Sequence, residues 1–307
     1  MDSKLYISSS PHIRGSVSTV SIMRDVLISL LPAAIAGCLI FGIKSLAVIA
    51  VCLIFSVGSE FVFNLIVKKE QTIGDLSAAV TGLILALNLP ANVPLWQAAV
   101  GSVFAIIVVK CIFGGIGCNV VNPAATARVF MLIAFSGMAK SAFPIADTIS
   151  SATPLAQLEA NTVPEIKDLL LGTTGGSIGE TCAVALLFGA AYLLIRRVIS
   201  WHLPIAFIGT VFVFSFLIAD FDVMKAVSYV LSGGLLLGAF FMATDYVTSP
   251  MTKLGKIIFG IGAGLITVLI RFYGIYPEGV SFAILLMNIV NPYIEKLTQR
   301  KLFGGNA

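Results

Sequence analysis

The feature that most limits what this chain can fold into is a succession of about ten apolar runs, each ended by glycine, proline or charge. They fall at about 25–43, 45–67, 76–89, 95–113, 123–138, 179–195, 203–219, 226–243, 255–272 and 279–294. A helix that crosses a bilayer takes roughly 20 apolar residues, so ten of them would occupy most of the 307 residues. Composition agrees, with 58% hydrophobic and 11% charged residues and a mean hydropathy of +1.02. A soluble domain carries about 25% charged residues, which argues against a water-soluble enzyme, a nucleic-acid binder and a disordered chain. The expected fold class is an all-α polytopic membrane protein in the lipid bilayer.

Basic residues set the expected orientation, because cytoplasmic loops of membrane proteins collect Lys and Arg. With the N-terminus inside, the inner segments hold Lys4, Arg14, Arg24, Lys68, Lys69, Lys110, Arg196, Arg197, Lys253, Lys256, Lys296, Arg300 and Lys301. The outer segments hold only Lys44, Lys140, Lys167, Lys225 and Arg271, and Arg128 lies inside a run. Both termini are therefore expected in the cytoplasm. The first residues, with Ser8-Ser-Ser-Pro-His12, do not read as a signal peptide, since the apolar run starts only after Asp25. The chain divides into a cytoplasmic segment 1–24, five runs over 25–138, an extracytoplasmic segment 139–178, five runs over 179–295 and a cytoplasmic tail 296–307. No run of like charge exceeds Lys68-Lys69 or Arg196-Arg197, so no nucleic-acid partner is expected.

The two halves show a faint repeat. Thr81-Gly-Leu-Ile-Leu-Ala-Leu87 is similar to Gly233-Gly-Leu-Leu-Leu-Gly-Ala239, about half a chain further on. A polar, proline-containing break follows each, Asn88 to Pro94 and Thr244 to Pro250. Five spans per half would place the copies in opposite orientations, and inverted repeats with interrupted helices put polar sites at mid-membrane in many transport folds.

Polar groups inside hydrocarbon are costly and so are the first candidates for chemistry. Arg128, five residues beyond Pro123, reads as an anion or cofactor-phosphate ligand or the partner of a carboxylate such as Glu60; equally, it could snorkel to a helix end. Asp245, with Thr244, Thr248 and Ser249 nearby, reads as a site residue on an unwound segment, against a loop Asp capping the next helix. Glu180 reads as a first-turn carboxylate favoured by the helix dipole. The five cysteines read as packing residues. His12 and His202 belong to no zinc set, there is no phosphate-binding Gly-x-x-x-x-Gly-Lys-Ser/Thr loop, and Gly114-Gly-Ile-Gly117 reads as a tight turn between spans.

The external segment contains Asp147-Thr-Ile-Ser-Ser151-Ala-Thr153-Pro. By chemistry alone this is a hydroxyl-rich loop or helix cap. Its Ser150-Ser151-Ala152-Thr153 resembles the Ser/Thr-Gly-Ala-Thr signature at which FMN is esterified through its phosphate to threonine, with Ser151 in place of Gly. Ser9-Ser-Pro-His12, the stretch Gly117-Cys-Asn-Val-Val-Asn122-Pro-Ala-Ala-Thr126-Ala-Arg128 and Met242-Ala-Thr-Asp245-Tyr-Val-Thr248-Ser-Pro250 complete a resemblance to the RnfD/NqrB family of electron-transport subunits. Length and the short N-terminal segment are nearer the Rnf branch.

The resemblance implies ten spans in an inverted five-plus-five arrangement, in a prokaryotic cell (inner) membrane, with a covalent FMN on Thr153 at the outer side. It implies partners: the other membrane and peripheral subunits of an Rnf-type complex, including iron–sulfur and flavin subunits, and a flavin transferase that recognises Asp147, Ser150, Ser151 and Ala152. A second, non-covalent flavin such as riboflavin is a further expectation. Asn122, Thr126, Arg128, Asp245 and Thr248 are expected around a flavin or ion path. The competing reading is a small-solute transporter or channel of inverted-repeat fold with no redox role, which fold alone would permit. A purely structural subunit is a third.

Overall fold

The computed structural model describes residues 18–135, 153–160, 162–274 and 279–299. Regular structure among the described residues is helical, apart from one isolated bridge at Gly176. The first half holds α1 (Thr19–Phe41), α2 (Ile43–Val67), α3 (Ser77–Leu87), α4 (Leu95–Cys111) and α5 (Pro123–Ala134). Two short helices follow, α6 (Pro154–Glu159) and α7 (Ile166–Leu171). The second half holds α8 (Ala183–Ile195), α9 (His202–Ile218), α10 (Val223–Leu231), α11 (Leu235–Met242), α12 (Lys253–Tyr273) and α13 (Val280–Thr298). Every apolar run in the sequence carries helix, and the 226–243 run carries two.

Four helices, α1, α2, α12 and α13, are long and apolar enough to cross a membrane, and α10 and α11 form a pair bent by 61°. Five shorter apolar helices, α3, α4, α5, α8 and α9, complete the set. The protein is a multi-pass helical membrane protein. Its outer faces carry large exposed apolar residues such as Leu39, Ile54, Phe188 and Ile195, the surface a lipid environment covers. In the interior, α1 runs along α8 and α5 packs on α13. Within the halves, α2 packs on α3 and α4, and α9 on α10 and α12.

Helix ends follow local chemistry. Ser18 caps α1 through a reciprocal capping box with Ser21, so the helix begins at Thr19 rather than after Asp25. The charge that marked the expected boundary lies within the helix because it is paired: Asp25 accepts from Tyr192 Oη (3.1 Å) and Arg196 Nη2 (3.1 Å). Likewise α13 continues through Glu295 and Lys296 to Thr298, past the expected start of the C-terminal tail. Asn122 caps α5 with Pro123 in its first turn. Glu180 lies in a turn ahead of α8 rather than in its first turn, and accepts from the Ser177 hydroxyl. Cys118 is exposed in the α4–α5 turn and is no packing residue, unlike buried Cys52 and Cys111.

Both halves contain interrupted helices. After α3 the interruption is the expected Asn88–Pro94. In the second half the expected Thr244–Pro250 likewise separates α11 from α12, and a further interruption, Ser232–Gly234, lies ahead of the Leu-rich segment. Two adjacent glycines make this break: Gly233 and Gly234 hold φ of 72° and 66°, a region that residues with a Cβ rarely adopt.

The α1–α8 contact depends on another glycine. A Cβ on Gly189 would lie 2.1 Å from the Ser29 carbonyl oxygen, so the two backbones touch. Gly189→Ala is expected to lower stability by about 1–3 kcal/mol, read as a reduced thermal unfolding midpoint in detergent. Gly209→Ala on α9, where a Cβ meets open space, should leave the midpoint within error of the wild type.

Candidate functional site

A cavity of about 790 Å3, counting the space at its mouth, opens where α1, α3, α5, α8 and α11 meet. Val26, Ile84, Leu193 and Phe240 supply apolar walls, and Asn119, Asn122, Thr244 and Asp245 supply polar groups. Ser77 and Lys110 also line it. Two π-helical stretches border it, Phe104–Cys111 in α4 through Lys110 and Gly238–Met242 in α11 through Phe240 and Phe241. Such wide turns are rare and recur at functional sites.

The polar groups are held by a network that joins the halves. Asn122 Oδ1 accepts from the amides of Ala124 (3.0 Å) and Ala125 (3.1 Å), and its Nδ2 donates to the Met242 carbonyl (3.0 Å). The Thr126 hydroxyl donates back to the Asn122 carbonyl at 2.8 Å. With its amide oriented to satisfy both ends, Asn288 of α13 accepts from Asn122 N (3.0 Å) and donates to the Thr248 carbonyl (3.3 Å). Asn88, at the end of α3, donates to the Ile84 carbonyl (2.8 Å) and contacts Met242 Sδ (3.3 Å).

Asp245 lies on the turn after α11, and its Oδ2 accepts from the Thr248 hydroxyl at 3.1 Å. Burial pushes its carboxyl above the ordinary carboxylate value, while hydrogen bonds from Thr248, Val247 and Asn119 pull the other way. Also in the cavity lining, Lys110 Nζ donates to Glu60 Oε1 (2.8 Å) and Ser77 Oγ (2.6 Å), with both charged side chains at most 3% exposed. Thr72 Oγ1 also donates to Glu60 Oε1 (2.8 Å), and among the described residues Oε2 has no partner.

The structure thus brings Asn122, Asp245 and Thr248 together, with Thr126 behind Asn122. Arg128 is elsewhere: it is 1% exposed inside α5, absent from the cavity wall, and so does not snorkel. Glu60 is held by Lys110, not by Arg128. Thr153 is distant from the cavity. It caps α6, its Oγ1 accepting from Ala156 N at 3.3 Å, which matches the plain helix-cap reading. Helix α6 packs against α10, and α11, eight residues or about 12 Å of helix, separates that region from Asp245. Asp147, Ser150, Ser151 and Ala152 lie outside the described residues.

Sequence reasoning misses Asn88, Asn288 and Lys110 as parts of this arrangement. Asn288, alone in Leu285-Leu-Met-Asn-Ile-Val290, carries a signal of the same kind as Arg128: a polar side chain in an apolar run. Lys110 reads as an ordinary inner-loop cation, and nothing local marks its pairing with a carboxylate fifty residues earlier.

A multi-pass helical membrane protein with a polar cavity joining its two halves defines the class. The family described as NQR2, RnfD, RnfE matches residues 6–304, and the chain belongs to it. It is 48% identical to the D subunit of the Na+-translocating ferredoxin:NAD+ oxidoreductase complex of Acetobacterium woodii, over 98% of this chain and 95% of that one. It is 40% identical to the D subunit of the proton-translocating ferredoxin:NAD+ oxidoreductase complex of Clostridium ljungdahlii (97% and 96%). It is 33% identical to the D subunit of the ion-translocating oxidoreductase complex of Methanosarcina acetivorans (98% of both).

The cavity walls can be tested through stability. Removing one member of a buried ion pair strands the other charge, so Lys110→Ala should lower stability by about 3–5 kcal/mol, and Glu60→Leu combined with Lys110→Met should recover most of the loss in the same denaturation assay. For Asp245, a folded value raised above the unfolded one of about 3.9 means that the native state holds the proton more tightly. That contribution favours folding at low pH and is lost as pH rises through the unfolded and then the folded value. Asp245→Asn should therefore raise the thermal midpoint at neutral pH and change it little below about pH 3.5.

Proposed function

We propose that this chain is the RnfD component of an Rnf-type, ion-translocating ferredoxin:NAD+ oxidoreductase complex, and that it carries electrons through an FMN phosphoester-linked to Thr153. The observation that carries the cofactor reading is the state of the Thr153 oxygen. Among the described residues Oγ1 acts only as the acceptor of a long bond from Ala156 N, and the residue is half-buried. An ester oxygen keeps lone pairs, so exchanging O–H for O–P leaves the cap on α6 in place. Pro154, fixed in the first turn, holds Thr153 in extended backbone (φ −60°, ψ 154°) whether or not the hydroxyl is substituted. When bound, the flavin supplies the redox chemistry and the protein supplies orientation and electrostatics.

The mixed apolar and polar lining of the cavity between the halves supports it as the place for a second, non-covalent flavin such as riboflavin. Phe240, Ile84 and Val26 would face the ring, while Asn119, Thr244 and Asp245 present donors and acceptors to its edge. The raised Asp245 carboxyl is suited to holding a proton at such an edge. The matching packing of the halves supports ten spans in an inverted five-plus-five arrangement: α1 against α8, α5 against α13, and the second helix of each half against its fourth.

Lys68, Lys69, Arg196, Arg197, Lys253 and Lys256 lie at or next to the helix ends that the alternation of spans assigns to one side, which supports cytoplasmic termini and an outward Thr153 in a prokaryotic cell membrane. The partners are the other membrane and peripheral subunits, with their iron–sulfur and flavin groups, and a flavin transferase acting on Asp147–Thr153. Relatives named for sodium and for proton translocation match this chain along almost its whole length, so membership alone does not select the ion.

The test is in-gel flavin fluorescence of the denatured chain, co-expressed with an active flavin transferase. A fluorescent wild-type band that vanishes in Thr153→Ala is expected. A dark wild-type band, with a control substrate labelled by the same transferase, sinks the reading and leaves a small-solute channel in the lead.

A further inference from the structure

A second cavity, of about 610 Å3 counting its mouth, lies where the α8–α9 turn meets the start of α12. It is lined by Ser200, Leu203, Tyr246, Ser249, Met251 and Lys256, among others. Its central charge is Lys256. A lysine near a helix end at a membrane surface ordinarily extends its ammonium into water, as exposed Lys253 one turn earlier is free to do. Lys256 instead turns inward and donates to the Ser200 hydroxyl at 3.0 Å.

No carboxylate neutralises it among the described residues. Glu295, the carboxylate on this rim, accepts from the Met251 amide (3.1 Å) and makes no ion pair with Lys256. An ammonium has three donors, and Ser200 takes one. Because Ser200 accepts there, its own O–H remains to donate. Ser249, a lining residue only 6% exposed, has a hydroxyl without a hydrogen-bond partner among the described residues. The Ser249 oxygen opens on the hollow rather than being sealed in protein, so a lone cation and two hydroxyl donors around one hollow describe the complement of an oxyanion.

The surroundings narrow the source. Met251 on the cavity lip is 83% exposed and Leu254, next along α12, is 60% exposed, so apolar surface leads directly away from the charged hollow. Trp201, at the start of α9 beside Ser200, is 57% exposed and stacks on His202. Tryptophan with an apolar body and a polar tip marks the level of lipid headgroups. Arg196, Arg197 and Lys253 add exposed positive charge near the same end.

We infer that this cavity seats the phosphoryl group of an anionic phospholipid, with Lys256 Nζ as counter-ion, Ser200 and Ser249 as hydroxyl donors, and the acyl chains descending past Met251 and Leu254. The inference is independent of the electron-transfer reading, since it needs only that the chain sits in a bilayer. The lipid would bind across the junction of α9 with α12, a contact within the second half.

The test titrates the full chain in neutral detergent with phosphatidylglycerol, phosphatidylcholine or inorganic phosphate and follows the thermal unfolding midpoint. Phosphatidylglycerol should raise the wild-type midpoint saturably and phosphatidylcholine should not. Lys256→Gln should weaken the response at least about tenfold, the scale of one charge-assisted hydrogen bond, and Lys253→Gln should leave it unchanged. If inorganic phosphate reproduces the effect with the same loss in Lys256→Gln, the phosphoryl seat stands and its source is a soluble anion. Equal weakening in both lysine variants, or none in Lys256→Gln, overturns the inference. Should Lys256→Gln fail to fold, Ser249→Ala decides: a weaker response upholds the seat and an unchanged one overturns it.

Discussion

The structure depends on satisfying backbone polar groups where helices are interrupted inside apolar surroundings. Hydrocarbon offers no water, so each unpaired N–H or C=O at membrane depth costs several kcal/mol. The two interruptions meet this requirement in different ways. Beyond α3, the carbonyls of Leu87 and Leu89 accept from the amides of Gly179 (2.8 Å) and Ile178 (3.0 Å), a strand-like graft from the segment before α8. At the end of α10, the guanidinium of Arg271 takes the carbonyls of Tyr229 (2.6 Å), Ser232 (2.9 Å) and Gly233 (3.1 Å). One break borrows backbone and the other a cation.

Much of the remaining polar architecture follows from that choice. Arg271 sits on the fourth apolar run of the second half, and Lys110 on the fourth run of the first. Each reaches one end of the interrupted element of its own half: Lys110 the start of α3 through Ser77, Arg271 the end of α10. A Cβ on Gly233 would lie 2.5 Å from both Arg271 Nη2 and Leu155 of α6, so the helix that Thr153 caps rests on the break itself. The position of the candidate flavin-bearing residue is thereby tied to the least regular part of the second half. At the other end of α11, the cavity gathers its Asn and Asp side chains where helices start and stop.

The placement of helices is legible in the sequence because apolar runs ended by Gly, Pro and charge carry that information directly. Ends are less legible where a charge is paired across the fold. Asp25 and Arg24 look like a boundary and lie inside α1, and Glu295 and Lys296 lie inside α13. The interruption at Ser232–Gly234 is easily missed, because proline and hydroxyl residues in Thr244–Pro250 are a louder signal than two glycines at positive φ. Of the candidate site, Asn122, Asp245 and Thr248 are found by their polarity near a break. Arg128 shares that polarity but not the location. Asn288 is marked only as a polar residue in an apolar run, and Asn88 and Lys110 join through contacts with residues far away along the chain, for which one sequence carries no local mark.

The Asp25–Arg196 pair also sets a timetable for biogenesis. Asp25 is among the first residues of the first helix, and its cation follows 171 positions later. At about 5–20 residues per second, the ribosome needs on the order of 10–30 s to deliver Arg196 after Asp25 has been made. During that interval the carboxylate of α1 has no native partner, and Gly189, against which Ser29 must close, has not been synthesised. The first half therefore completes its packing along α1 only once α8 has been made, with water or lipid headgroups solvating Asp25 in the meantime.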